Sequence, residues 1–189
     1  MADDVVTFRI LGRVELRRAD GADVASVLAQ PRRVALLAML ALAGRGGYAQ
    51  RGELLALLWP ESDEERARSS LRTALYNLRR ALGEEAVVTR GPSEVTAGPG
   101  VRCDAADFLA AVEERRWADA LASYGGPLLP GFDPGAGAGA ELEEWLEGQR
   151  RRVSAGLLRA ALEVAAAAER RGDAAAAVAA LDRAIDAFP

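Results

Sequence analysis

Residues 63–83 read DEERARSSLRTALYNLRRALG, and the fold follows from how that stretch divides its side chains. Leu71, Leu75, Leu78 and Leu82 recur at i, i+4, i+7 and i+11, so a helix places them on one narrow seam, with Ala67 and Ala74 beside it. Asp63 is a cap for the free N–H groups at its start, and Gly83 a stop at its end. The opposite face carries Arg66, Ser69, Thr73, Tyr76 and Arg80, flanked by Arg72 and Asn77, with no acid between Arg66 and Leu82. A helix that is leucine behind and guanidinium, hydroxyl and amide in front is built to lie on a polyanion. Arginine can read guanine bidentately, asparagine can read adenine, and the hydroxyls can meet phosphate or base edges.

The segments on either side supply a setting for that helix. Upstream, Gln50–Leu58 reads as a short helix with Leu54, Leu55, Leu57 and Leu58 on its apolar side, Trp59 as an anchor and Pro60 after its end. Before the Gly46-Gly47 break, Pro31 suits a first helical position, and the run from Val34 to Ala43 reads as a buried helix ending at Gly44. Earlier still, Phe8, Ile10, Val14 and Leu16 alternate as one strand with a buried face. Asp20-Gly21 reads as a turn, and a second strand is expected at about Asp23–Leu28. Downstream, Val87–Thr89 and Val95–Ala97 are two β-prone pieces around Arg90–Glu94, a hairpin of the length a wing requires.

Beyond Cys103 the pattern becomes helical. Asp104–Arg115 and Trp117–Tyr124 read as short helices, and Gly131–Gly139 as a glycine-rich surface loop. A long helix from Ala140 to about Arg171 then turns at Gly172-Asp173 into a return helix, Ala174–Phe188, closed by Pro189. Such an antiparallel pair resembles one tetratricopeptide unit. The expected fold is an α+β winged helix-turn-helix (small sheet, three helices, C-terminal hairpin) over 1–102, followed by an all-α tetratricopeptide-like domain over 103–189.

Composition narrows the function. All 24 basic residues are arginine, and there is no histidine and a single cysteine, Cys103. Neither a disulfide framework nor the commonest metal ligand and general base is at hand. Residues 1–102 carry 15 Arg against 13 acids (+2) and residues 103–189 carry 9 against 15 (−6), which sum to the −4 of the chain. Cys103 is expected to be an inert buried thiol. Trp59, Trp117 and Trp145 sit amid leucine or alanine and read as packing residues. Glu141, Glu143, Glu144 and Glu147 alternate with Leu142, Trp145 and Leu146, which is the pattern of a charged helix side. With no phosphate loop or serine elbow, a binding protein is expected and not an enzyme; no cofactor and no metal are implied. No apolar stretch of membrane-spanning length lacks a charge, and the acidic start, Met1-Ala2-Asp3-Asp4, is unlike a secretory signal, so a cytoplasmic, nucleoid-associated protein is expected.

The residues singled out for DNA are therefore Arg66, Ser69, Arg72, Thr73, Tyr76, Asn77 and Arg80 on the long helix. Arg51 and the Arg32-Arg33 pair join them at the starts of the two preceding helices, where free backbone N–H groups favour phosphate, and Arg90 is the obvious cation of the hairpin. A different class stays open: an adaptor whose acidic helical half binds a protein partner, with the N-terminal part as a docking or dimerisation unit.

The chain also resembles the Streptomyces antibiotic regulatory protein family, in which an OmpR-type winged helix is joined to a bacterial transcriptional activator domain. The resemblance rests on Phe8-Arg9-Ile10-Leu11-Gly12, Pro31-Arg32-Arg33 leading to Leu36-Leu37, Gln50-Arg51-Gly52-Glu53-Leu54 leading to Leu58-Trp59-Pro60, and Leu75-Tyr76-Asn77-Leu78-Arg79-Arg80-Ala81-Leu82-Gly83. In the second half it rests on Cys103-Asp104-Ala105-Ala106-Asp107-Phe108, Ala118-Asp119-Ala120-Leu121, Gly126-Pro127-Leu128-Leu129-Pro130-Gly131-Phe132, Glu144-Trp145-Leu146 and Gly172-Asp173. It implies a transcriptional activator whose third helix reads direct repeats near promoters in double-stranded DNA. It also implies protomers placed head to tail as a dimer on that DNA, and recruitment of the RNA polymerase holoenzyme. Two departures stand out. The family's hairpin commonly ends Gly-Tyr-Arg-Leu, whereas this one has Pro92-Ser93-Glu94-Val95, and the family's activator domain continues with helices past the position of Pro189.

Overall fold

The computed structural model describes residues 5–43, 47–135 and 139–187. Its elements run β1 (Val6–Arg9), β2 (Glu15–Arg17), α1 (Ala25–Leu28), α2 (Pro31–Leu42), β3 (Ala49–Gln50), α3 (Arg51–Leu58), α4 (Glu64–Leu82), β4 (Val87–Arg90), β5 (Glu94–Ala97), β6 (Val101–Cys103), α5 (Asp104–Glu113), α6 (Trp117–Ser123), α7 (Ala140–Arg170) and α8 (Ala174–Ile185). The described residues thus form a mixed α/β structure, rich in helix, with two small three-stranded sheets and a helical C-terminal part. One sheet is ordered β2-β1-β6 and the other β3-β5-β4.

The expected single strand from Phe8 to Leu16 is instead a hairpin. Phe8 and Leu16 face each other in antiparallel register, both fully buried, so the alternation reads through a turn that it does not reveal. Gly12 makes that turn possible. Its φ is +78°, and a Cβ there would stand 2.0 Å from the Gly125 carbonyl oxygen. The expected strand at Asp23–Leu28 is also corrected. Only Asp23 bridges, to Arg17, and Ala25–Leu28 is one helical turn, because the Asp20-Gly21 turn has already brought the chain back along β2.

Pro31 opens α2, as its missing N–H allows, and Val34 through Leu40 are all buried, so this helix forms the centre of the N-terminal half. The expected stops at Gly44 and the Gly46 break, the middle of the 131–139 loop, and the chain end at Phe188-Pro189 lie outside the described residues. Two short strands were missed. β3 is two residues long and β6 three, too short to show a period of two.

β6 matters most, because it pairs in parallel with β1 (Val6 opposite Val101, Phe8 opposite Cys103) and runs straight into α5. The expected division after residue 102 therefore falls inside a strand of the N-terminal sheet. Three further ties cross it. The Asp104 carboxylate accepts N–H bonds from Ile10 (2.8 Å) and Leu11 (3.2 Å), Leu129 N–H donates to the Ile10 carbonyl (2.7 Å), and Gly12 N–H donates to the Pro127 carbonyl (2.8 Å). One hydrophobic core accordingly spans Phe8, Leu36, Leu75, Phe108 and Leu157. In the helical part α7 packs against α5 and α6, and α8 lies along α7, with Ala160, Ala161, Ala165, Ala168, Ala177, Ala180 and Ala184 buried. Alanine at these places lets the backbones approach closely. No described helix is long and apolar enough to cross a membrane.

Candidate nucleic-acid interface

The chemistry of α4 begins with why it is a helix. Asp63 Oδ1 accepts the Arg66 N–H at 2.8 Å, Glu64 and Glu65 occupy the first turn, Arg79 and Arg80 the last, and the chain stops at Gly83 with φ +100°. Ala67, Leu71, Leu75, Leu78 and Leu82 are buried as the seam required. Ala74, expected beside it, is half-buried. Facing outward are Arg66, Ser69, Arg72, Thr73, Tyr76 and Arg80, all exposed, with Asn77 half-buried. Tyr76 is 61% exposed, unusual for an aromatic in a helix whose other large apolar side chains are inside. From Thr73 to Arg80 the ridge rises about 10 Å, comparable to the width of a B-DNA major groove, about 12 Å.

The arginines of this helix fall into three states. Arg79 is structural: its Nε donates to the Val87 carbonyl at 3.2 Å, while Arg18 from the β1–β2 sheet donates to the Ala81 carbonyl. Arg68 is paired with Glu64, and Arg66 stands 3.9 Å from Asp63. Arg72 and Arg80 have no acidic partner among the described residues. The exposed positive charge of the ridge therefore rests mainly on these two.

Each flank of the ridge is a cleft with arginines in its walls. On one side Arg32, Arg33 and Trp59 face Ser69, Thr73 and Asn77 of α4. On the other, Arg51 from the start of α3 faces Arg68 and Arg72, with Pro92 and Ser93 of the β4–β5 turn closing the end. Neither α2 nor α3 has a side-chain cap, but the expectation of free backbone N–H groups is corrected: Pro31 has no N–H, and the Arg33 and Val34 N–H groups donate to the Gln30 carbonyl at 2.9 and 3.2 Å. Arg33 is held by a bond from its Nη1 to the Ser26 carbonyl at 2.9 Å. The Arg51 backbone N–H donates to the Ser93 carbonyl at 2.8 Å, and its Nε is buried without a hydrogen-bond partner among the described residues.

Arg90 is placed differently from its neighbours. It is directly opposite Glu94 across the β4–β5 turn and bonds its carboxylate through Nε, and its guanidinium lies 4.2 Å above the Tyr48 ring. Gln50, opposite Glu94 on the other side of β5, donates to the same carboxylate at 3.0 Å. The hydrogen bond from Arg90, then that from Gln50, holds the Glu94 carboxyl below the usual range. Sequence reasoning missed Tyr48 and Gln50. Their role depends on the two-residue strand β3, which has no pattern of its own.

Elsewhere, Trp59, Trp117 and Trp145 are half-buried against the core. Cys103 is buried, and desolvation pushes its thiol up to about 12. Glu141, Glu143 and Glu144 are exposed, while Glu147 pairs with Arg150, whose other nitrogens bond the Leu128 and Leu129 carbonyls. No group of three potential metal-ligating His, Cys, Asp or Glu occurs among the described residues.

No family model matches the chain, and no curated protein matches it in sequence. Among solved structures it is similar to Mycobacterium tuberculosis EmbR in complex with low affinity phosphopeptide, with a TM-score of 0.51 and 22% identity. The likeness covers 97% of this chain and 57% of that one. The chain shares the EmbR fold. The shared arrangement takes in both the α2–α4 region and the helical C-terminal part, and the chain spans 57% of the length of EmbR in that structure.

Proposed function

We propose that this chain is a sequence-specific, double-stranded-DNA-binding transcriptional regulator of the Streptomyces antibiotic regulatory type, acting in the cytoplasm at the nucleoid. In this reading residues 1–102 are its winged helix and 103–189 its tetratricopeptide-like activator domain. The observation that carries the reading is the α4 ridge with an arginine-walled cleft on each side, the relief that a major groove and its two bordering phosphate strands require. Arg72 and Arg80 read bases, with Thr73, Tyr76 and Asn77 alongside. Arg32 and Arg33 seat one phosphate strand, and Arg51 seats the other. The EmbR-like fold supports the same class. Protomers bind promoter direct repeats head to tail, and the helical half, joined to the reading half through β6 and Asp104, recruits RNA polymerase to activate transcription.

Duplexes selected from a random pool, followed by anisotropy titration of the full chain, test this. Arg80→Ala should cost about 1–3 kcal/mol on the selected site and relax one base preference. Arg51→Ala should weaken all duplexes alike and flatten the salt slope by about one. If neither substitution alters binding, the assignment is wrong.

A second reading, a protein-interaction adaptor, is favoured by Leu158, Leu162, Val178 and Ile185, which leave the α7–α8 pair with apolar side chains 47–66% exposed. Leu162→Asp with Val178→Asp separates the two. Duplex affinity unchanged in that variant supports the DNA reading, and a full chain that binds no duplex supports the adaptor.

A further inference from the structure

The hairpin that should approach the duplex beside the Arg51 cleft carries one cation, and that cation is already engaged. Arg90 and Glu94 close the three-residue turn Gly91-Pro92-Ser93 as a directly opposed pair, and Glu94 sits on the central strand of β3-β5-β4. From its two sides Glu94 receives the Arg90 Nε and the Gln50 Nε2, so both carboxylate oxygens are occupied. Tyr48 supports the guanidinium from below at 4.2 Å. The carboxylate thus takes the place on Arg90 that a phosphate oxygen would take. The pair is exposed enough to compete for such a phosphate, since the Arg90 side chain is 63% exposed. Pro92 and Ser93, between the two residues, already line the cleft that holds Arg51, Arg68 and Arg72.

We infer that Glu94 is an affinity-setting residue: it acts as an internal phosphate mimic that withholds Arg90 from the DNA backbone, so that the hairpin docks with no net charge and binding depends on the α4 ridge. The inference rests on the DNA-binding reading. Two effects have the same sign. Removing the carboxylate frees the Arg90 N–H edge, and it also removes a negative charge that faces the phosphates. Tyr48 remains beneath Arg90 in either case and keeps the guanidinium at the end of the hairpin.

The test is anisotropy titration of the full chain against a fluorescein-labelled 20-base-pair duplex of mixed sequence over a range of salt. That probe reads the backbone contribution without needing the operator. Glu94→Gln keeps the shape of the side chain and an oxygen for Gln50. One additional neutralised phosphate steepens the log–log salt slope by about 0.9, which amounts to roughly fivefold tighter binding near 0.15 M salt than near 1 M. Adding Arg90→Gln to Glu94→Gln should return the slope to the wild-type value. A structural role alone would change the thermal midpoint and leave the slope where it was. Glu94→Gln binding that is unchanged or weaker, with wild-type binding intact, overturns the inference alone. Weaker binding would mean that Glu94 presents Arg90 to the DNA. A wild-type chain that binds no duplex at any salt overturns the DNA reading and the inference with it.

Discussion

Replacing Asp104 by alanine tests how the two halves are held together. The carboxylate lies at the start of α5 and accepts three backbone N–H groups: Ala105 at 2.7 Å, Ile10 at 2.8 Å and Leu11 at 3.2 Å. Two of the three come from 93 and 94 residues away in sequence, out of the segment that leaves β1 and contacts Leu128 and Leu129. Alanine leaves those two donors without their acceptor in a part-buried setting. Hydrogen bonds to a charged group are worth about 1.5–3 kcal/mol each, from which the relief of an already desolvated carboxylate must be subtracted. The expected net loss is about 2–4 kcal/mol. At about 2–4 °C per kcal/mol for a chain of this size, the thermal midpoint should fall by about 4–16 °C. Asp104→Asn should fall between, because its amide oxygen can serve one donor while its NH2 faces the other. Circular dichroism melts at 222 nm, checked for coincidence with tryptophan fluorescence, provide the readout. A shift under about 2 °C for alanine, or an asparagine variant no better than alanine, would show that the Asp104 carboxylate does not hold the two halves together.

Three further predictions concern the same joint and its surroundings. Burial lifts the Asp104 carboxyl above its ordinary value, about 3.9, against the backbone N–H bonds that lower it. It therefore holds its proton more tightly folded than unfolded, and its contribution declines as pH rises; the melting gap to Asp104→Ala should narrow as pH is raised above about 4, and a widening gap contradicts the sign. Gly12→Ala must place a methyl 2.0 Å from the backbone oxygen of Gly125 at a φ of +78°, so a loss of at least about 2 kcal/mol is expected in urea unfolding, and a neutral variant would show that the contact yields. With its thiol raised to about 12, Cys103 should react with a disulfide reagent at mildly alkaline pH only after unfolding, and rapid labelling of the native protein would contradict its burial.

The helices were legible in the sequence where their signals are local. Asp63 and Gly83 bracket α4 as read, Pro31 opens α2, and the turn at Gly172-Asp173 separates α7 from α8. The ridge residues Arg66, Ser69, Arg72, Thr73, Tyr76 and Arg80 emerged together because a 3.6-residue period fixes the face of each side chain once the leucine seam is known. Pairing was legible only where it is local, in the β4–β5 hairpin around Arg90–Glu94, and not elsewhere. Phe8 and Leu16 alternate whether they share one strand or oppose each other on two, and β6 has three residues, one of them Cys103, which reads equally as a helix N-terminus. The electrostatic state of Arg90 was hidden for the same reason, since its link to Gln50 and Tyr48 runs through a register that no spacing encodes.

In the proposed complex α4 meets the duplex through the two arginines that have no acidic partner among the described residues, Arg72 and Arg80. The most direct measurement is duplex affinity of the full chain carrying Arg72→Glu and Arg80→Glu, at about 0.15 M salt, beside a melting curve of the same preparation. Both side chains are exposed, so the melting midpoint should stay within a few degrees of wild type while affinity falls by at least about a hundredfold and the salt slope flattens. A folded double variant that binds duplex as tightly as wild type would contradict the claim.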